Sequence, residues 1–257
     1  MNLATIIDAL ALPSDARVDQ RVPKKLLIEQ GAPTSADKRQ IKDGIEELNW
    51  VAALKPTNIG VPAYRDEVRE YLEIAVLSVT IRADSKLMRL IELIHRAIPY
   101  PAVLIAAQGD NVGLSLAHKR WSQGEIGKVV IEDVRCTSLF QFDAQTVFEP
   151  SFIASIAVSG LPNRDMFALY QGWLDCVAAL EAAQITGVFA PPNNANRSSS
   201  LRDRLDVHTR LLREIAALRA RAAKEKQLNR RVELNLEIKR LESELANTAN
   251  NIGLGEA

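Results

Sequence analysis

Cysteine and histidine are scarce in this chain of 257 residues. The only cysteines are Cys136 and Cys176, and the three histidines, His95, His118 and His208, stand far apart. Two cysteines cannot build a disulfide framework, and no pair of these residues has the short spacing of a zinc site. The sequence therefore predicts neither a metal site nor a disulfide-stabilised fold, and we expect no cofactor.

Glycine-rich and catalytic motifs are also missing. The 12 glycines are scattered, and no GxGxxG, GxxxxGK[ST], GxSxG or HExxH pattern occurs. Each pattern sets a tight turn, a nucleophile or a metal ligand at a fixed offset along the chain. A P-loop, a Rossmann site, a hydrolase nucleophile elbow and a zinc protease are therefore not predicted.

Long apolar runs are absent as well. No run approaches the roughly 18 residues that a membrane span needs. Residues 1–12 are largely apolar, but they lack a basic leading segment and contain Asp8, so we interpret them as a helix and not as a signal peptide. These observations predict a cytoplasmic protein without membrane contact.

Charge of one sign is not in excess over the whole chain. The sequence contains 32 basic and 32 acidic residues, which excludes a broadly basic coat for a polyanion but leaves local patches open. The distribution is uneven, because residues 201–245 hold 12 basic and 8 acidic side chains. The sequence thus predicts a mildly acidic body and a mildly basic tail.

The basic tail is predicted to be helical, because no Gly or Pro occurs between Leu201 and Asn251. Residues 191–200 (PPNNANRSSS) have the composition of a flexible linker. The predicted organisation is a globular body over 1–190, a linker over 191–200, a helical hairpin or coiled coil over 201–249 and a disordered tail over 250–257.

Apolar residues in this tail step by three and four, which is the spacing of a coiled-coil seam. The two stripes are out of register, and residues 223–231 (AKEKQLNRR) carry no seam. One interpretation is an antiparallel hairpin that turns near Asn229; the alternative is one long helix with a stutter. Such a seam packs against a helix of the same chain, of a second copy in a homo-oligomer or of a partner protein. The candidate partner-binding residues are Leu211, Ile215, Leu218, Leu234, Ile238, Leu241 and Leu245.

The body is predicted to be α+β, with a mixed sheet built on a βαβββ unit and flanking helices. Thr34 with Asp37 resembles a capping box, and the helix that it opens is predicted to end before Pro56. The helically spaced apolar residues that predict this helix are Ile41, Ile45, Leu48 and Ala52. Strands are predicted over 73–82, 102–107, 112–119 and 128–136, and further helices over 1–10, 85–98 and 163–186.

Two short segments hold most of the candidate site residues. His95 and Arg96 end a predicted helix before Tyr100, and His118 ends the core-facing row of a predicted strand, followed by Lys119 and Arg120. A tight turn at 109–111 folds that strand back on its neighbour. His95, Tyr100 and His118 are then expected at one end of the sheet. A basic turn adds three candidates for anion or nucleic-acid contacts, which are Arg21, Lys24 and Lys25.

The chain resembles the prokaryotic domain-of-unknown-function family 4391. The blocks that carry this resemblance are Arg21–Leu26, Asn49–Trp50, Leu54–Pro56, Ile94–Pro101 (IHRAIPYP), Leu114–Arg120 (LSLAHKR) and Lys224–Asn235. The resemblance covers nearly the whole chain and brings no catalytic assignment. It implies an accessory protein of a DNA-modification or phage-defence locus, because members are often encoded beside DNA methyltransferases and superfamily 2 helicases.

Three functions are compatible with these observations. The leading hypothesis is a non-enzymatic adaptor that docks a helicase or methyltransferase of the same locus through its C-terminal helices. The second is a nucleic-acid-binding module with a basic face formed by the two segments and the basic turn. The third is an enzyme acting on phosphate esters or nucleotides, with His118 or His95 as acid or base.

Overall fold

The computed structural model describes residues 3–124, 129–137 and 148–254. The chain divides into two compact units, residues 1–177 and 178–257. The boundary between them falls inside a helix, earlier than the predicted end of the body at residue 190. Each unit is described separately below.

The first unit contains one large mixed sheet, one small sheet and several helices. The helices are α1 (Leu3–Ala9), α2 (Lys24–Gly31), α3 (Ser35–Gly44), α4 (Pro56–Ile59), α5 (Leu87–Ala97), α6 (Glu149–Ser155) and α7 (Met166–Thr186), which continues into the second unit. The strands are β1 (Arg17–Arg21), β2 (Ile45–Leu54), β3 (Tyr64–Arg65), β4 (Glu70–Tyr71), β5 (Ile74–Ile81), β6 (Ala102–Gln108), β7 (Asn111–Trp121) and β8 (Val129–Cys136).

The large sheet has the strand order β1-β2-β5-β6-β7-β8. Only β5 and β6 are parallel, and α5 connects them. The pairs β6–β7 and β7–β8 are antiparallel, so the predicted βαβββ unit is confirmed. Gly109, in the turn between β6 and β7, has a φ of 61°, a left-handed conformation that glycine adopts without a steric penalty.

The predicted helix over residues 35–55 is wrong in its second half. Thr34 does cap α3, since its side chain accepts a hydrogen bond from Asp37 N at 3.1 Å. The helix ends at Gly44, however, and β2 follows and pairs with both β1 and β5. Register shifts interrupt β2, and such bulges break the alternation of buried and exposed residues. The apolar spacing in β2 therefore resembles a helical stripe.

The predicted basic turn at residues 21–25 is shorter than expected, since only Val22 and Pro23 connect β1 to α2. Arg21 is the last residue of β1, and Lys24 is the first of α2. Val22 N donates to the carbonyl of Leu48 at 2.8 Å, which extends the contact with β2. Pro23 precedes α2, where its fixed φ and missing N–H suit a helix start.

The core of the first unit includes a layer between one face of the sheet and the helices α2, α3 and α5. Its fully buried members include Leu27, Ile41, Leu77 and Leu93. Gly31 brings α2 against α5, because a Cβ at this position would lie 2.5 Å from the carbonyl oxygen of Leu93. On the same face of the sheet, a cavity lies beside these helices next to β8.

The second unit contains the end of α7 and two long helices, α8 (Ala195–Lys224) and α9 (Leu228–Leu254). Helix α8 begins inside the predicted linker, because the Asn194 side chain accepts a hydrogen bond from Arg197 N at 3.0 Å and caps the first turn. Helix α9 continues to Leu254, into the segment predicted to be disordered; residues 255–257 lie outside the described residues.

Helices α8 and α9 pack together as a hairpin, which decides between the two interpretations of the tail. The break spans residues 225–227, so Asn229 lies in the first turn of α9 and not at the predicted turn. Arg219 pairs with Glu242 across the hairpin at 2.6 Å. The buried seam comprises Leu211, Ile215, Ala222, Ile238 and Leu241, with Leu218, Leu234 and Leu245 packed beside it.

Candidate functional site

Lys119 lies inside the first unit with only 4% of its surface exposed. Its Nζ donates to the carbonyl of His95 at 2.7 Å and also to the carbonyl of Ile98. The His95 carbonyl needs such a donor, because Pro99, the residue four positions later, has no N–H. Lys119 therefore supplies the C-terminal end of α5 with hydrogen bonds from a neighbouring strand.

Burial changes the protonation of this lysine. Removal from water lowers the pKa of Lys119 to about 7, since desolvation disfavours the charged form. Within the described ranges, no carboxylate contributes to this shift. The ammonium thus lies in the protein interior with carbonyl partners and without a described counter-ion.

His95 is buried next to Lys119 and is 1% exposed. Its Nε2 shares a hydrogen bond of 2.9 Å with Ser115 Oγ, which also accepts from Cys136 Sγ at 3.1 Å. Burial and the nearby Lys119 charge lower the pKa of His95 to about 3, so the imidazole is neutral at pH 7. Ser115 is fully buried and cannot meet a substrate, which makes this cluster a packing feature and not a nucleophile–base pair.

A cavity of about 1270 Å³ opens beside α5 on this side of the sheet. Its walls are the C-terminal end of α5 with the turn that follows, the strand β8 and part of α2. The polar residues that line it are Gln30, Glu92, His95, Arg96, Lys119 and Glu132, and its aromatic residues are Trp50 and Tyr100. Four of the predicted site residues therefore line one concave surface, namely His95, Arg96, Tyr100 and Lys119.

His118 lies on the opposite face of the sheet from His95. Successive residues of a strand point to opposite faces, and His118 packs against α7, where its ring stacks on Phe167 with centroids 5.1 Å apart. Lys119 instead contacts α5. The predicted meeting of His95, Tyr100 and His118 is therefore wrong for His118.

Hydrogen bonds fix the tautomer of His118. Gln171 Nε2 donates to Asp175 Oδ1 at 2.7 Å, so Gln171 presents its carbonyl oxygen to His118 Nε2 at 2.9 Å. A carbonyl only accepts, and Nε2 therefore carries the proton. His118 Nδ1 then accepts from the hydroxyl of Tyr71 at 2.5 Å. Both ring nitrogens are occupied, so this arrangement leaves His118 no free nitrogen for a substrate proton.

The other basic candidates do not form one face. Lys25 pairs with Glu29 at 3.7 Å, and Arg120 pairs with Glu132, which Arg69 also binds at 2.8 Å.

Lys24 lies at the start of α2, whereas the other end of that helix, Gly31, contacts the C-terminal end of α5 near Arg96. Burial and the charges of Arg82 and Arg21 lower the pKa of Lys24, which places these cations around the start of α2. The predicted basic residues are thus divided between two ends of the unit.

The seam predicted for partner binding is closed within the chain. The outer surface of α9 instead exposes three apolar side chains at steps of four, Leu228, Val232 and Leu236, which are 63%, 49% and 64% exposed. We call these three residues the α9 stripe. Residues four apart lie on one helix face, so the spacing in the sequence is that of a helical stripe. A turn at Asn229, as predicted, would have separated Leu228 from Val232, and the stripe was therefore not predicted.

The described residues contain no group of three or more His, Cys, Asp or Glu side chains that could hold a metal ion. Among the helices in the described ranges, none is both long and apolar enough to cross a membrane.

Comparison with known proteins gives one match. No curated protein and no solved structure matches the chain. The model of the family described as domain of unknown function (DUF4391) matches residues 10–245, which include all of the sheet and most of the hairpin. The protein therefore belongs to the DUF4391 family.

Proposed function

We propose that this protein is an adaptor of a DNA-modification or phage-defence system and docks a helicase or DNA methyltransferase through its helical hairpin. The observation that carries the proposal is the α9 stripe. Its three side chains stay about half or more exposed although the seam of the same helix is buried. Contiguous apolar surface on a helix is typical of a protein-binding site.

Charge near the stripe favours an acidic partner. Five exposed cations surround the turn of the hairpin, and none of them forms an ion pair with a carboxylate in the described part of the chain. These cations are Arg221, Lys224, Lys226, Arg230 and Arg231. A partner helix that carries apolar residues flanked by Asp or Glu is complementary to this surface. Aromatic residues, which membrane-surface helices commonly use, do not occur over residues 201–254.

The two alternative functions have less support. The single basic face required for the nucleic-acid module does not form, because its members are divided between two ends of the first unit. The phosphate-ester enzyme would use His95 or His118 as acid or base. The pKa of His95 is lowered to about 3, which makes it a weak base, and His118 is hydrogen-bonded through both nitrogens.

Co-purification tests the proposal directly. The full-length protein is co-expressed with the helicase and the methyltransferase encoded in the same locus. A stripe variant carries Val232→Asp and Leu236→Asp, and a matched control carries Asn229→Asp and Asn235→Asp, which add the same charge at exposed positions of the same helix. Circular dichroism verifies that both variants keep the helix content of the wild type.

We expect the wild type and the control to retain one of the two partners and the stripe variant to lose at least about tenfold in affinity, because an apolar anchor is replaced by a charge that must be desolvated. Failure of the wild type to bind either enzyme, or equal binding by the stripe variant, contradicts the proposal.

A further inference from the structure

Lys119 places a buried positive charge at the cavity beside α5, and no carboxylate among the described residues neutralises it. An isolated ammonium in the interior is costly, and buried charges are normally paired. The Lys119 Nζ has three N–H donors, and the carbonyls of His95 and Ile98 take two of them. The remaining donor and the absence of a described counter-ion make Lys119 suited to an anion that enters the cavity.

A second cation stands at the same cavity. Arg96 is exposed, lines the cavity and has no ion pair with any described carboxylate. The acidic residues that the described wall contains are already engaged: Glu92 pairs with Arg89 at 2.7 Å, and Glu132 pairs with Arg69. Among the described lining residues, the uncompensated charge is therefore positive, which fits a phosphate bound by an arginine fork and a lysine ammonium.

Aromatic surface lines the same cavity. The rings of Trp50 and Tyr100 have centroids 6.2 Å apart at an angle of 51°, and 42% of Tyr100 is exposed. The indole of Trp50 is held in place, because its Nε1 donates to the carbonyl of Ala52 at 2.9 Å. Fixed, accessible aromatic faces are the surfaces on which proteins stack nucleobases.

The volume is also informative. Small-molecule sites usually measure about 300–1,000 Å³, and this cavity, at about 1270 Å³, exceeds that range. Its size is therefore sufficient for a mononucleotide.

We propose that this cavity binds a nucleoside phosphate, with the phosphate against Lys119 and Arg96 and the base against Trp50 and Tyr100. The site does not use a glycine-rich loop, which explains why no phosphate-binding motif is present in the sequence. The phosphate belongs to a free nucleotide or to a single-stranded nucleic acid, and the two sources share the same chemistry. This inference does not depend on the docking of a partner by the hairpin.

Titration calorimetry on the isolated full-length protein tests the inference with defined probes. The first arm compares adenosine 5′-monophosphate with adenosine and with ribose 5-phosphate, which lack the phosphate and the base respectively. The second arm compares the monophosphate with a single-stranded tetranucleotide. We expect the monophosphate to bind at least about tenfold more tightly than either fragment, since each fragment forgoes one of the two contacts. The tighter ligand of the second arm identifies the source of the phosphate.

Variants assign the site. Arg96→Gln changes an exposed side chain and is expected to weaken binding at least about tenfold without a change in melting temperature. Lys119→Met is also expected to weaken binding at least about tenfold, but it removes the hydrogen bonds to α5 and can lower the melting temperature. Its result is therefore compared with that of Arg96→Gln. Arg21→Gln, an exposed cation of β1 outside the cavity lining, is the matched control and is expected to bind as the wild type does.

The inference is overturned if neither the monophosphate nor the tetranucleotide binds at millimolar concentration. Binding of adenosine as tight as that of the monophosphate also contradicts it, because the phosphate contacts would then contribute nothing. The inference is also contradicted if both single variants, Arg96→Gln and Lys119→Met, bind the monophosphate as tightly as the wild type does.

Discussion

The Lys119 ammonium and the His95 carbonyl are joined by a buried hydrogen bond of 2.7 Å. This contact joins β7, the third strand of the βαβββ unit, to the C-terminal end of α5. It also places a titratable group in the interior, where its protonation and the folding equilibrium become coupled.

The first prediction concerns that coupling. Burial lowers the pKa of Lys119 to about 7, against its ordinary value of 10.5. Between these values the unfolded chain holds a proton that the folded protein has released, so stability rises as the pH increases. We expect the free energy of unfolding in urea to rise by on the order of 2 kcal/mol between pH 7 and pH 9.

Lys119→Met is the control for this rise and should abolish it. The window stops at pH 9 because burial raises the pKa of the Cys176 thiol from 9.0 to about 11, and that shift lowers stability at higher pH. A rise of the same size in Lys119→Met would assign the effect to another group.

The second prediction concerns Asp37, which lies in the first turn of α3. Hydrogen bonds from Arg89 and Thr34 lower the pKa of this carboxyl to about 2, against an ordinary value of 3.8. The stabilisation is complete above pH 4 and is lost as the pH falls toward 2, because the unfolded chain takes up the proton first. Arg89→Met should therefore flatten the acid side of the stability curve measured by urea unfolding. A curve identical to that of the wild type below pH 4 would contradict the assignment.

The third prediction concerns the tautomer of His118. Nitrogen NMR of the imidazole should show a protonated Nε2 and an unprotonated Nδ1 at pH 7.5, because Gln171 accepts and Tyr71 donates. Gln171→Leu removes the acceptor and should shift the ring toward a mixture of tautomers. Gln30→Leu changes an amide of the same kind on α2, in the lining of the cavity beside α5, and should leave the His118 resonances in place.

The fourth prediction separates the two sides of α9. Leu241→Ala creates a cavity in the closed seam, where Leu241 is 4% exposed, and should cost about 2–5 kcal/mol of unfolding free energy. Leu236→Ala, on the α9 stripe, should change it by less than about 0.5 kcal/mol. Chemical denaturation followed by circular dichroism measures both, and equal losses would show that the stripe is also packed.

Part of the fold could be predicted because local signals and the final structure agree. The Thr34 cap, the buried β5 and the turn at Gly109 each depend on neighbours within a few residues. The sequence does not predict the boundary between α3 and β2, because the bulges of β2 space its apolar residues three or four apart, as in a helix. The apolar spacing of residues 45–54 fits a helix as well as a bulged strand. The pairing of this segment with β1 and β5 decides for the strand.

The candidate site was only half predictable for a similar reason. The alternation along β7 separates His118 from Lys119 in any strand, so their opposite faces follow from the sequence. Which face α5 covers, however, depends on the packing of whole elements. The partners of His118 come from positions 47 and 53 residues away, and no spacing rule reaches that far.

The closed seam of the hairpin has a kinetic consequence. Because α8 and α9 bury their own apolar residues against each other, the tail does not have to fold when a partner arrives. A preformed surface avoids the ordering entropy of a disordered segment. For the acidic partner that we propose, the exposed cations around the turn between α8 and α9 would also accelerate encounter at low salt. Association should therefore be fast and dependent on ionic strength, with a heat-capacity change that reports only the small area of contact.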